Sequence, residues 1–133
     1  MSRHIALSFI ALLLTTQLIG QTSFDSELAI IDSTLNQTNF KLAMARIDSV
    51  AAENPELSRQ AKLHIRRGHA FGGIGQPKAR LEEYLKALDI WRKVGNEHEQ
   101  GNTYLSIGNT YWDKDRFDEA LVFYRKTLET GIK

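Results

Sequence analysis

Apolar residues beyond position 20 recur at the spacing of a helix face. Near the end of the chain, residues 117–128 carry them at i, i+3, i+4, i+7 and i+11, which gathers them into one stripe along a helix. The three stripes of this kind are Phe117, Ala120, Leu121, Tyr124 and Leu128; Leu81, Tyr84, Leu85, Leu88 and Trp91; and Phe40, Ala43, Met44, Ile47 and Val50. No useful stretch alternates with period two, so the pattern predicts an all-α fold.

Short polar segments separate these stripes from the helical segments before them. Breaks at 36–38, 72–76 and 113–115 divide each pair of helices, and 54–55 and 95–96 divide the pairs from one another. Pro77 suits the first turn of a helix, and Asp115 is expected to cap the last helix at its N-terminus. The chain is therefore predicted to fold as helical hairpins.

The hairpins repeat in sequence. Residues 81–88 (LEEYLKAL) return at 121–128 (LVFYRKTL), and Gly68 and Gly108 share the same offset of 40 residues. Self-similarity at such a fixed period is typical of stacked helical repeats.

These residues resemble the tetratricopeptide repeat. The copy from Gly101 carries the family's small and large positions at Tyr104, Ile107, Gly108, Tyr111, Ala120 and Tyr124. The copy from Ala61 keeps Gly68, Phe71, Tyr84 and Ala87 but departs at His64, Arg67 and Arg80. The first copy keeps Ala43 and Pro55, with Ile31 where the small residue belongs. The resemblance implies an α-α superhelix of about three antiparallel hairpins over 24–133, with repeats near 24–57, 61–96 and 101–133.

The first 20 residues have the pattern of an export signal. Arg3 precedes an uncharged apolar run at 5–19, and Gly20 is a small residue where a signal peptidase would cut. The run is short for a membrane span of about 20 residues. We therefore expect a periplasmic or secreted protein that begins at Gln21, with an uncleaved membrane anchor or a buried helix as the alternatives.

Composition and residue spacing limit the kinds of function that the chain can have. The formal net charge is +1 without a basic stripe, which argues against nucleic-acid binding. The absence of cysteine excludes disulfides and thiolate chemistry. His64 and His69 are not spaced as a metal pair on one helix face, and Glu82–Glu83 and Asp118–Glu119 are expected on solvated faces. No catalytic residues, metal or cofactor are predicted, and the chain is not expected to be an enzyme.

In tetratricopeptide proteins the first helix of each hairpin lines a concave groove for a protein or peptide partner. The resemblance assigns this role to Lys62, Ile65, Arg66, His69, Asn102, Leu105, Asn109 and Trp112. Such a groove would suit an extended or helical segment with apolar and some acidic character. The alternative is that these are ordinary solvated positions on helices.

The last helix is apolar and has no successor within these residues to cover it. We expect either a C-terminal continuation or self-association through this helix. Two functions follow: an exported scaffold for protein or peptide partners, or the N-terminal sensory or assembly segment of a larger membrane signalling protein. The reading frame beyond Lys133 distinguishes them.

Overall fold

The computed structural model describes residues 3–131, except the side chains of residues 3–9, 16–19 and 22. Met1 and Ser2 of the predicted signal, and residues 132–133 at the end of the predicted array, lie outside the described residues. The described part contains six helices and no strand. They are α1 (Arg3–Asn36), α2 (Phe40–Glu53), α3 (Leu57–Gly73), α4 (Pro77–Val94), α5 (Glu97–Trp112) and α6 (Phe117–Gly131). The helices stack as the antiparallel hairpins α1–α2, α3–α4 and α5–α6, as predicted.

Four of the five turns between helices have the same backbone conformation. Each contains a residue with positive φ: Thr38 (59°), Gly75 (73°), Gly95 (71°) and Asp115 (59°). In each, the next backbone N–H bonds the carbonyl five residues earlier, as Asn96 does to Trp91 at 3.0 Å. This is the Schellman arrangement, which satisfies the orphan carbonyls of a helix end. The expectation that Asp115 caps α6 was wrong: it occupies the left-handed position that ends α5, and Arg116 precedes α6.

Inside the second and third hairpins, a glycine faces a tyrosine ring. A Cβ added at Gly108 would lie 2.6 Å from Cε1 of Tyr124, and one at Gly68 would lie 2.7 Å from Cδ1 of Tyr84. The helices can approach this closely only because the glycines have no side chain. The first hairpin solves the same problem differently, since Ile31 and Ile47 stand at the two positions and are both fully buried. Two medium side chains there replace one small and one large.

Apolar clusters hold each hairpin to the next. Tyr84 and Leu88 of α4 form one cluster with Tyr104 and Ile107 of α5. At the other end, Phe24, Leu28 and Ile31 of α1 pack with Ile47 and Val50 of α2 and Leu63 of α3. Each hairpin therefore shares buried apolar side chains with the next and depends on it for burial.

Glu83 is buried within a polar network and does not lie on a solvated face as expected. Its side chain is 7% exposed, and it accepts hydrogen bonds from Lys86 at 2.6 Å and pairs with His64 at 2.7 Å. Arg67 lies 3.6 Å from the same carboxylate and reaches Asp48 of α2 at 2.6 Å. The family departures His64 and Arg67 therefore have a structural reason: both serve this carboxylate.

The first helix is continuous through Gly20 and Gln21, the predicted cleavage point. Among the side chains of α1 that the structure describes, Phe24 is the first that is buried, whereas Ile10, Leu12, Leu13 and Leu14 are 54–61% exposed. Among the described residues, no helix combines the length and apolarity required to cross a membrane. The described side chains at 10–15 therefore lie outside the core.

Candidate peptide-binding groove

The four predicted positions on α3 lie on one face of that helix, because residues three and four apart are neighbours. They are Lys62, Ile65, Arg66 and His69. A cavity of about 600 Å³ lies between this face and α1, lined by Asp32, Leu35, Asn36, Phe40, Ile65, Arg66 and His69. A smaller cavity of about 280 Å³ is lined by Leu28, Lys62, Ile65, Arg66, Trp91 and Glu99. Because the two cavities share Ile65 and Arg66, they form a groove between α1 and α3 that reaches α5.

Arg66 spans the groove. Its guanidinium donates to Asp32 Oδ2 at 2.7 Å and to the Lys62 carbonyl at 3.2 Å. The Arg66 side chain is 18% exposed and that of Asp32 is 46% exposed. The guanidinium is therefore largely buried, whereas its carboxylate partner is open to solvent. An acidic ligand group could compete with Asp32 for this guanidinium.

His69 closes one end of the larger cavity. Its ring meets that of Tyr84 edge to face, with centroids 5.8 Å apart. Partial burial lowers the pKa of His69, and the positive charges of Arg66 and Arg80 lower it further, against a smaller opposite effect of Asp32. The imidazole is therefore neutral at pH 7 and offers one hydrogen-bond donor and one acceptor.

Lys62 supplies a second cation at the smaller cavity. Among the described residues, its ammonium group has no ion-pair partner. Glu99 lines the same cavity, so the groove combines apolar side chains with charges of both signs. This surface fits a mixed apolar and polar segment.

The four predicted positions on α5 do not line these cavities. Asn102 lines a separate hollow of about 380 Å³ against Thr127 and Thr130 of α6. Asn109 accepts a hydrogen bond from Tyr124 at 2.9 Å. Leu105 is 44% exposed, and Trp112 is 51% exposed with its ring 4.7 Å from that of Phe117. These side chains belong to the open end of the stack.

Residues of α1 line the groove although sequence reasoning left them out. The positions that gave Lys62, Ile65 and His69 in the second repeat correspond to Asp25, Leu28 and Asp32 in the first, with Leu35 following. Leu28, Asp32 and Leu35 do line the cavities. The same positional rule, applied to the least regular copy, would have found them. Trp91 of α4 is 1% exposed and packs against Ala61 and Ile65 of α3.

Comparison with known proteins agrees with this architecture. No curated protein sequence matches the chain. The TPR domain of Arabidopsis FLU superposes with a TM-score of 0.70 at 14% identity, over 82% of this chain and 94% of that one. The MamA RS-1 ArsTM double mutant superposes with a TM-score of 0.63 at 22% identity, over 81% of this chain and 56% of that one. MamA 41-end from Desulfovibrio magneticus RS-1 gives 0.61 at 19% identity, over 86% and 70%.

These similarities concern the fold. The sequence profile of the tetratricopeptide repeat matches residues 59–131, more than half of the chain and all but the first two residues of its second and third hairpins. That fold is in general a scaffold for protein–protein interaction. With its hairpins, its Gly–Tyr contacts and this match, the chain belongs to the tetratricopeptide repeat family.

Proposed function

We propose that the chain is an exported scaffold without catalysis of its own, which binds a protein or peptide segment in the groove between α1 and α3. The observation that carries this is the pair of adjoining cavities around Ile65 and Arg66. Apolar side chains together with a few polar and charged groups that fix orientation are the usual lining of a binding site.

The ligand chemistry follows from the charges of the groove. Lys62 has no ion-pair partner among the described residues, and Arg66 is paired with a half-exposed carboxylate. A segment with apolar side chains and one or more acidic groups would contact the apolar side chains of the groove and meet both cations.

The test is an array of synthetic peptides, extended and helical, in which apolar positions are held and acidic residues are varied. The purified chain should prefer peptides that carry both. Lys62→Glu should weaken binding about tenfold, as expected for reversal of a contacting charge. The matched control is Lys41→Glu, the same change at an exposed position of α2 that does not line the groove cavities. Equal effects of the two variants would refute the groove.

The same array tests whether the site continues onto α5. Alanine at Leu105 or Trp112 should weaken capture if the partner extends that far. If capture is unchanged, these residues do not contact the partner, and the site is confined to the two cavities around Ile65 and Arg66.

Export to the periplasm or the exterior is part of the proposal. Its support is the uncharged run at 5–19 and the position of Phe24, the first buried side chain among those described in α1, beyond the predicted cut. Expression of the full chain in a bacterium, followed by fractionation and N-terminal sequencing, should give a protein that begins at Gln21. An intact N-terminus in the membrane fraction would instead indicate an anchor.

A further inference from the structure

The last helix exposes one whole face. The exposed side chains of α6 lie on the side opposite α5, and they are Phe117, Asp118, Leu121, Val122, Arg125, Leu128 and Glu129. Leu128 is 62% exposed, whereas Leu88, at the same position of the preceding repeat, is 3% exposed. Leu88 is buried because α5 covers it, and no described element covers Leu128. The face is thus apolar along one edge.

The charges on this face are arranged symmetrically. Asp118 precedes the adjacent apolar pair Leu121–Val122, and Arg125 follows it at the same distance. Along the sequence, Lys114 in the preceding turn and Glu129 near the end of α6 are also equally far from this pair and opposite in sign. Among the described residues, these four charged side chains have no ion-pair partner, unlike Glu119 of α6 and Arg116 just before it. Such an arrangement is complementary to itself when one copy is turned end to end.

We propose that a second copy of this chain docks on the face, with its α6 antiparallel to the first. A two-fold axis beside Leu121 and Val122 sets Asp118 opposite the second copy's Arg125, and Arg125 opposite its Asp118. The same register brings Leu121 against its own counterpart and Phe117 towards the second copy's Leu128. A parallel arrangement in register would set each charge against its own kind, so the charges select the antiparallel dimer.

The contact is one helix against another, below the roughly 1,600 Å² of a standard interface. Exposed ion pairs contribute on the order of 0.2–1 kcal/mol each. We therefore expect a weak dimer, populated at about 100 µM and sensitive to salt because its ion pairs are exposed. The inference is independent of the groove, which lies on α1 and α3.

Sedimentation velocity of the full chain across a concentration series tests the proposal. Asp118→Arg and Arg125→Asp should each weaken dimerisation about tenfold or more, because two attractive contacts become repulsive in the symmetric pair. The double variant Asp118→Arg/Arg125→Asp should restore the dimer, and an equimolar mixture of the two single variants should form the mixed dimer. Both side chains are exposed, and circular dichroism confirms that each variant is folded.

Site-directed cross-linking gives a second measure. The chain has no cysteine, so Leu121→Cys introduces a single thiol beside the proposed axis. Oxidation should give a disulfide-linked dimer. Leu85→Cys is the matched control, since Leu85 is 45% exposed and Leu121 47%, but Leu85 lies on the outer face of α4.

A chain that sediments as a monomer at every concentration overturns the proposal, and the open face then serves a different partner. Association that is unaffected by either charge reversal also overturns it, since it must then arise elsewhere, for example at the apolar N-terminus. Equal cross-linking of the two cysteine variants leads to the same conclusion.

Discussion

At the scale of single residues, close packing in this protein depends on the absence of a side chain at two glycines. The ring of Tyr124 occupies the space that a side chain at Gly108 would need, and the second hairpin repeats the contact with Gly68 and Tyr84. The repeat pattern in the sequence pointed to these pairs. In the first hairpin, Ile31 and Ile47 take the places of the glycine and the tyrosine. Only the structure shows that these two residues face each other, because the sequence gives each side chain's volume but not which pairs share a space.

Gly108→Ala should therefore destabilise the chain by about 1–3 kcal/mol, the usual penalty for overpacking. Urea denaturation followed by circular dichroism measures it. Replacing the ring as well, in Gly108→Ala/Tyr124→Leu, should recover part of the loss. If the two changes simply added, the contact would not be the cause.

Backbone conformation sets a second constraint at this scale. Thr38 has a φ of 59°, and a β-branched residue is strained in the left-handed region. Thr38→Gly should therefore raise the free energy of unfolding by about 1 kcal/mol. The higher conformational entropy that glycine gives the unfolded chain offsets part of this gain.

The matched change is Gly95→Ala, at a φ of 71°, which should lower that free energy by a similar amount. Both variants would be compared with the parent by the same urea titration. A Thr38→Gly variant that is less stable than the parent would contradict the argument from strain.

At the scale of elements, the helix bounds could largely be read from the sequence. Polar breaks and Pro77 mark where helices end and begin, because these features act locally. Asp115 misled because aspartate suits two different positions, the N-cap of one helix and the left-handed end of another. Glu83 misled because adjacent acidic residues normally face solvent. His64 and Arg67, basic where the family is apolar, were the available sign of a buried counter-ion.

The packing of α4 against α3 should consequently depend on pH. Burial alone would raise the pKa of Glu83, but hydrogen bonds and charge from Lys86 and His64 outweigh it, and the pKa lies below its ordinary value of 4.5. A lowered carboxyl pKa gives stability that is present above 4.5 and is lost as the pH falls through the lower folded value.

Glu83→Gln should remove that part of the acid sensitivity. Between pH 5 and pH 3, the free energy of unfolding should fall less steeply for the variant than for the parent, while at pH 7 the variant is less stable by about 1–3 kcal/mol. Parallel slopes for the two proteins would show that Glu83 does not carry this effect.

At the scale of the whole molecule, the groove could be predicted only in part. The family pattern placed Lys62, Ile65, Arg66 and His69 at its wall, and the cavities adjoin them. Its other wall is α1, whose repeat matches the pattern least well. The α5 positions came from the same family pattern, but Asn102, Leu105, Asn109 and Trp112 do not line these cavities.

The described core predicts that the first 20 residues are dispensable for stability. A chain that begins at Gln21 should unfold within about 0.5 kcal/mol of the full chain, because the described side chains at 10–15 are exposed and Phe24 is the first described side chain that is buried. Phe24→Ala in the shortened chain should cost about 3–5 kcal/mol. A large loss of stability from the truncation would show that the N-terminal half of α1 packs in solution.

The contacts among the helices also govern how the chain reaches its fold. Nearly all of them join helices adjacent in sequence, with α1 against α3 as the one longer step among the well-connected pairs. Chains with such local contacts close only short loops and fold fast. The hairpins α3–α4 and α5–α6 are the most densely connected pairs, and α1–α2 is looser. We expect α3–α6 to form first and to serve as the template on which α1 and α2 settle, so that the groove appears last, when α1 arrives.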